Sequence, residues 1–286
     1  MKTFIKRRWR PLLAALFFVL LSAWILLSPR FSPGLYDKDL FHPEYLRGSE
    51  KELRNYKTFA NQQSNFKAAD GSELRGWLFL NPAATKLILF HPGNAGDIPG
   101  RLEIIDLLLR SGASVFIYEP RGFGLSTVKP EPASFLSDGI SAYEHLRNLG
   151  YGKEQLVLYG ESLGCTVATH VASLKESAGL ILQSGFYSLE RIGKERYWLL
   201  NIYPAFLFPE VRMDNSALLK RAHPPLLLVH GQKDELIPLQ HSEALFQIAG
   251  ARAEFLRLPN SGHIHFAGED RRVFQEKLAA FLRSLP

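Results

Sequence analysis

The sequence predicts an α/β protein, a mostly parallel eight-stranded sheet flanked by helices, with an uncharged segment ahead of it. Two observations carry that prediction. Beyond residue 60, short apolar and β-branched runs alternate with longer amphipathic stretches, and such alternation builds a parallel sheet covered by helices. The composition, 46% hydrophobic and 22% charged over 286 residues, supplies a large core and excludes a disordered chain.

The N-terminus comes first. Lys2, Lys6, Arg7, Arg8 and Arg10 account for five of the six net positive charges, so the remainder is nearly neutral and carries no electrostatic footprint for nucleic acid. The 19 residues between Arg10 and Arg30 carry no charge, and as a helix they reach about 28 Å, close to a bilayer's hydrocarbon thickness. We expect residues 11–29 to be a transmembrane signal anchor. A cleaved signal peptide fits less well, because the nearest small-x-small pair, Ser32 and Gly34, lies beyond Arg30 with Pro33 between. The basic tail, residues 1–10, precedes the span, so the positive-inside rule puts it in the cytoplasm and the rest outside. That compartment is the periplasm in a bacterium and the lumen in a eukaryote.

Residues 30–60, with Pro33, Gly34, Pro43 and Gly48, read as a stalk, and residues 61–286 as the globular domain. An antiparallel pair is expected at Asn61 to Ala68 and Glu73 to Leu80, turned by Asp70-Gly71. Six further strands read at Lys86 to Phe90, Val115 to Tyr118, Leu156 to Tyr159, Gly179 to Gln183, Leu226 to His230 and Glu254 to Leu258. Helices fall between and after them, at Ile98 to Ser111, Phe135 to Asn148, Leu163 to Leu174, Leu239 to Ile248 and Gly268 to Leu285. One stretch breaks the alternation. From about 186 to 223 the chain is rich in aromatics and interrupted by Pro204 and Pro209, which predicts an inserted lid whose aromatics either line an apolar pocket or pack the lid in place.

The chemistry centres on Gly160-Glu161-Ser162-Leu163-Gly164, which follows the apolar run Leu156-Val157-Leu158-Tyr159 and precedes a helix. A serine in a sharp strand-to-helix turn needs small neighbours two positions away on each side, because the backbone passes too close for side chains. Ser162 is therefore the candidate nucleophile, and it needs a base and a group that orients the base. Loops after parallel strands gather at one edge of the sheet. Asp234 follows LLLVH and His263 follows EFLRL, giving the order Ser, acid, His. Glu235 and His265 are neighbouring rivals that spacing alone does not exclude; Gly262 favours presentation of His263. The oxyanion donors are expected from backbone N–H groups of Leu163 and of the loop His91-Pro92-Gly93-Asn94-Ala95-Gly96, with Asn94 the first choice and Gly93 the alternative. His91 and His230 end strands and read as structural.

Cys165 is the only cysteine, so neither an intrachain disulfide nor a thiolate cluster can form, and it reads as a small buried residue. The nine histidines include no metal-binding spacing on a helix. The reading thus calls for no metal and no cofactor.

Taken together, GESLG, Gly93-Asn94-Ala95-Gly96, Pro120-Arg121-Gly122-Phe123-Gly124-Leu125-Ser126, HGQKDELIP and SGH resemble the α/β-hydrolase superfamily. The similarity lies in its serine aminopeptidase-like branch, which includes membrane-anchored α/β-hydrolase-domain proteins. Two departures stand out: His-Pro-Gly-Asn where such proteins read His-Gly-Asn, and Glu119-Pro120 where an Asp is usual. The resemblance implies Ser162, Asp234 and His263 as the triad, with Asn94 and Leu163 as the oxyanion hole. The expected function is a membrane-anchored serine hydrolase that cleaves a carboxylic ester, thioester or amide of a small or lipid-like acyl substrate through an acyl-enzyme. A serine peptidase of the same fold and a catalytically idle tethered binding protein are the alternatives.

Overall fold

In the computed structural model, which describes residues 2–36, 40–43, 50–124 and 128–286, the β-branched runs become strands and the amphipathic stretches become helices. Leu125 and Ser126 of the Pro120 to Ser126 motif lie outside the described residues, as does Gly48. The strands are β1 (Ala60–Gln63), β2 (Phe66–Lys67), β3 (Glu73–Leu80), β4 (Lys86–His91), β5 (Ala113–Glu119), β6 (Leu156–Glu161), β7 (Gly179–Gln183), β8 (Leu226–Gly231) and β9 (Ala253–Leu258). The helices are α1 (Lys2–Leu26), α2 (Glu50–Asn55), α3 (Leu102–Arg110), α4 (Pro132–Asn148), α5 (Gly164–Leu174), α6 (Leu189–Arg196), α7 (Asn215–Leu219), α8 (Gln240–Ala249) and α9 (Asp270–Ser284).

Eight strands lie on one path in the order β1-β3-β5-β4-β6-β7-β8-β9, and β2 pairs with β3 off that path. The expected first strand is thus two short ones. The ladder breaks where Ser64 donates to the Gly76 carbonyl and the Gly76 N–H donates to the Asn65 side chain. A Cβ at Gly76 would stand 2.4 Å from the Ser64 oxygen, so only glycine admits this crossing.

From β5 onward every pairing is parallel, and every residue of β5, β6, β7 and β8 is buried. Both faces are covered, which is why these strands read as continuous apolar runs rather than alternating ones. On one face Ile88, Phe90, Val157 and Tyr159 pack against Ile105 and Leu108 of α3 and Phe274, Leu278 and Phe281 of α9. β4 has β5 on one side and β6 on the other. The winding direction reverses there, and in open α/β sheets the carboxyl ends of the strands at such a reversal are where ligands bind.

The chain forms two compact units, and both differ from the expected boundaries. The larger comprises Phe41–Ile192 and Met213–Pro286, and holds the whole sheet. The expected stalk, 30–60, does not run to residue 60. Phe41 is buried, edge-on to Phe123 and tilted against Phe135, His42 bridges to Ala95, and Leu53 of α2 is fully buried in the core. Its second half belongs to the globular domain because these side chains supply core.

The smaller unit comprises Met1–Leu40 and Gly193–Arg212. The expected lid, 186–223, is therefore divided. Phe186 and the buried residues of α7 belong to the larger unit, where Asn215 donates to the Phe186 carbonyl, and only 193–212 belongs to the smaller. In this unit α1 contains Trp9–Leu26, a run long and apolar enough to cross a membrane. The helix ends at Leu26 rather than continuing to residue 29. Pro29 disfavours helical backbone at Ser28, whose hydroxyl turns back to the Ile25 carbonyl at 2.6 Å. Leu200, Tyr203, Leu207 and Phe208 form a second small core with Trp24, Ile25 and Tyr36.

Candidate active site

The strand-to-helix turn between β6 and α5 places Ser162 in the left-handed region, at φ 53°. Its N–H donates to the Gln183 carbonyl at 2.9 Å. Both flanking glycines are sterically required. A Cβ at Gly160 would lie 2.4 Å from Cys165 Cα, and one at Gly164 would lie 2.1 Å from the His91 carbonyl oxygen. The turn is thereby wedged between its own helix and the loop after β4.

Loops after β8 and β9 bring Asp234 and His263 to this turn. His263 Nε2 lies 2.8 Å from Ser162 Oγ, and His263 Nδ1 lies 2.7 Å from Asp234 Oδ2. The carboxylate accepts, so Nδ1 carries the proton and Nε2 presents a lone pair to the serine hydroxyl. Asp234 Oδ1 accepts from the N–H groups of Leu236 and Ile237, each at 2.9 Å. Burial acts to raise the Asp234 pKa, but hydrogen bonds from His230 and His263, the charge of His263 and the Ile237 N–H outweigh it and hold the carboxyl well below the usual range. The group is an anion wherever the protein is folded near neutrality. The rivals point elsewhere: Glu235 is exposed, and His265 is exposed beside Glu103.

His230, expected to be structural, supports the acid, and two further supporting residues, Ser184 and Asp270, were not singled out by the sequence. His230 Nε2 lies 3.3 Å from Asp234 Oδ2 and 2.9 Å from the Ile237 carbonyl, while its Nδ1 meets Ser242 Oγ at 2.7 Å. Two acceptors at Nε2 place the proton there, so His230 braces the acid loop from beneath. Ser184, also left-handed at φ 51°, donates its hydroxyl to the His263 carbonyl. Asp270 accepts from Ser261 Oγ at 2.7 Å and from the Asn260 N–H at 2.8 Å, pinning the same loop.

A further device lies behind the nucleophile. Glu161 and Arg101 are both buried, and Arg101 Nη2 and Nε reach Glu161 Oε1 at 3.0 and 3.1 Å. The same guanidinium donates to the carbonyls of Ala95 and Asp97, and the Gly93 N–H donates to Glu161 Oε1 at 3.2 Å. One ion pair therefore ties the loop 91–97 to the residue preceding Ser162. Gly93 also packs on the serine, since a Cβ there would lie 3.3 Å from Ser162 Cβ. Of the two expected loop donors, the Gly93 N–H is thus turned to Glu161, while the Asn94 carbonyl accepts from the His42 N–H at 2.7 Å. Leu163, at the start of α5, carries the other expected N–H. Signals for this device were present in Glu161, inside the motif, but its partner sits 60 residues away. Cys165 is buried, and burial with the nearby Glu161 charge pushes its thiol well up.

His91, at the head of the loop, is fully buried, bonded through Nδ1 to the Tyr118 hydroxyl at 3.0 Å. Burial pushes its pKa down from 6.5 to about 3. The folded state keeps this ring neutral while the unfolded chain takes up a proton below 6.5, so stability is intact above 6.5 and falls as pH drops toward 3. The slope reaches up to about 1.4 kcal/mol per pH unit. We expect His91→Asn to lower stability near neutrality yet flatten the loss between about pH 6.5 and pH 4, as read from urea midpoints. An unchanged slope would contradict the neutral buried ring.

Comparison with known proteins agrees with this architecture. The family model described as alpha/beta hydrolase fold matches residues 86–193. The uncharacterized protein YfhR of Escherichia coli (strain K12) is 30% identical over 231 residues, 77% of this chain and 79% of that protein. Among solved structures, the Pyrococcus furiosus esterase Pf2001 superposes with a TM-score of 0.68 at 18% identity, covering 86% of this chain and 98% of the esterase. The acylaminoacyl peptidase of Pyrococcus horikoshii does so with a TM-score of 0.59 at 18% identity, covering 81% and 42%. With the alpha/beta hydrolase fold model matched over residues 86–193 and a relative 30% identical over 77% of the chain, the reversed-winding parallel sheet and the glycine-flanked serine after β6 make one conclusion: the chain belongs to the α/β-hydrolase superfamily.

Proposed function

We propose that the protein is a membrane-anchored serine hydrolase that cleaves carboxylic esters through an acyl-enzyme. The observation that carries this reading is the continuous relay from Ser162 Oγ through the His263 ring to Asp234, with contacts of 2.8 and 2.7 Å.

In the proposed cycle His263 Nε2 takes the serine proton as Oγ attacks the acyl carbon, and Asp234 holds the ring and stabilises the imidazolium. The oxyanion of the tetrahedral intermediate accepts from the backbone N–H groups of Leu163 and Asn94. Collapse expels the alcohol, which receives the proton from His263. Water then enters, His263 takes its proton, and the acid is released with Ser162 restored. Apolar acyl substrates are favoured because the domain follows, along the chain, a helix able to span a membrane, and the basic residues Lys2 to Arg10 ahead of the uncharged stretch support an extracytoplasmic domain on a cytoplasmic N-terminus.

The test combines a fluorophosphonate probe with a substrate panel. The parent protein should be labelled and Ser162→Ala should not, and aryl esters should be turned over in preference to aminoacyl-arylamides. Labelling without ester turnover but with arylamide turnover would favour a peptidase, the activity carried by one structural neighbour's name. No labelling of the parent would leave a tethered binding protein.

A further inference from the structure

The smaller unit holds an arrangement that the proposed catalysis does not use. Its insertion, 193–212, divides its apolar residues into two sets. Leu200, Tyr203, Leu207 and Phe208 are buried in a cluster with Trp24, Ile25 and Tyr36. Trp198, Leu199, Ile202 and Phe206 instead remain 74%, 56%, 52% and 63% exposed. Single exposed apolar residues are ordinary, but four large ones within nine positions of one short segment mark a surface that is covered in use.

The place of the cluster along α1 names the cover. Trp24 and Ile25 belong to the last turn of the helix, and the Trp24 ring stacks on Tyr203 with centroids 5.7 Å apart. Just beyond that turn, the Arg30 N–H donates to the Leu207 carbonyl at 2.8 Å. The Arg30 guanidinium donates to the Phe206 carbonyl and pairs with Glu210. The insertion is therefore fastened to the stretch where a span ending at Leu26 leaves the hydrocarbon. A segment held at that depth meets acyl chains and head groups rather than bulk water. Trp and Phe are side chains that partition there, the indole N–H facing the head groups and the rings the acyl chains.

The geometry points to an interfacial function for this insertion. Trp198, Leu199, Ile202 and Phe206 enter the outer leaflet of the bilayer that α1 crosses, so that the chain holds the membrane by a span and by a second, in-plane apolar foot. This rests on the anchored reading of α1. Its consequence is that the smaller unit meets the bilayer at two places, the span and the insertion, rather than at one.

Site-directed spin labelling tests the inference on the full chain in vesicles of phosphatidylcholine and phosphatidylglycerol. Cys165 is buried and takes no label, so Trp198→Cys, Phe206→Cys and Leu16→Cys can be labelled one at a time. Each label is relaxed by oxygen, which concentrates in lipid, and by a nickel chelate, which stays in water. We expect the oxygen-to-nickel ratio at 198 and 206 to exceed severalfold that of the same label carried by glutathione in buffer, and to fall below that at 16. Values at 198 and 206 equal to glutathione's, with 16 reading hydrocarbon, would overturn the foot and leave the anchor standing. An aqueous value at 16 as well would overturn the anchor and the foot with it.

Discussion

On the proposed mechanism, Ser162→Ala is expected to lower kcat for an aryl ester by about a millionfold, and His263→Ala by a similar factor, because either change would leave the chemistry without a nucleophile that can be deprotonated. Asp234→Asn costs less, about ten-thousand-fold. Its amide can still occupy the pocket formed by the Leu236 and Ile237 N–H groups. It no longer fixes the proton on His263 Nδ1, so the ring turns or adopts the other tautomer and its Nε2 ceases to be the base. The three losses do not add, since the residues act as one unit. The double variant Ser162→Ala/His263→Ala should thus be no slower than Ser162→Ala alone. A series in which each loss multiplied the next would contradict a shared relay. A small residual rate above water should remain in all of them, contributed by substrate binding and the backbone donors. Pre-steady-state burst amplitudes separate loss of acylation from loss of deacylation.

The second large effect concerns Arg101. Arg101→Met strands Glu161, only 2% exposed, without its cation. Removing one member of a buried pair costs about 3–5 kcal/mol, most of it from the uncompensated charge. The variant should show a markedly lower urea midpoint. The double variant Arg101→Met/Glu161→Leu removes the stranded charge and should recover much of that stability. Activity should not return with it. The Gly93 N–H loses its acceptor and the carbonyls of Ala95 and Asp97 lose their donor, so the loop that carries the Asn94 N–H is released. A misplaced oxyanion donor costs about a hundredfold to a thousandfold in kcat. If activity followed stability back to the parent value, Arg101 would be a packing residue with no bearing on the donor loop.

The two arrangements differ in how visible they are in the residues. Ser162 could be found because the turn constrains positions two away on each side, and Gly160 and Gly164 record that constraint within five residues. Asp234 and His263 could be found because each follows an apolar run that can only be a strand, and strand ends share an edge. Arg101 could not, since nothing local distinguishes it from any other arginine preceding a helix. Its meaning comes from a contact across the winding reversal at β4. The same holds for Leu53 and Phe41, which stand among charges, Pro and Gly and read as a stalk, yet supply core to the larger unit. The aromatic stretch from 186 onward was legible as an interruption of the alternation but not as two pieces. Tyr203 and Phe208 have their partners at Trp24 and Tyr36, nearly two hundred residues away, and composition carries no record of such a pairing.

The left-handed backbone at Ser162 bears on how this protein can change. A side chain in that region costs about 1–3 kcal/mol, and glycine would carry the same turn without the penalty. On the role proposed for Ser162, the substitution that relieves this strain also removes the nucleophile, so selection for robustness and selection for turnover would pull against each other at a single dihedral angle. Stabilising changes must accumulate elsewhere, in the sheet and helices that hold the turn in place. A lineage released from catalysis should drift toward glycine at this position before its core begins to erode.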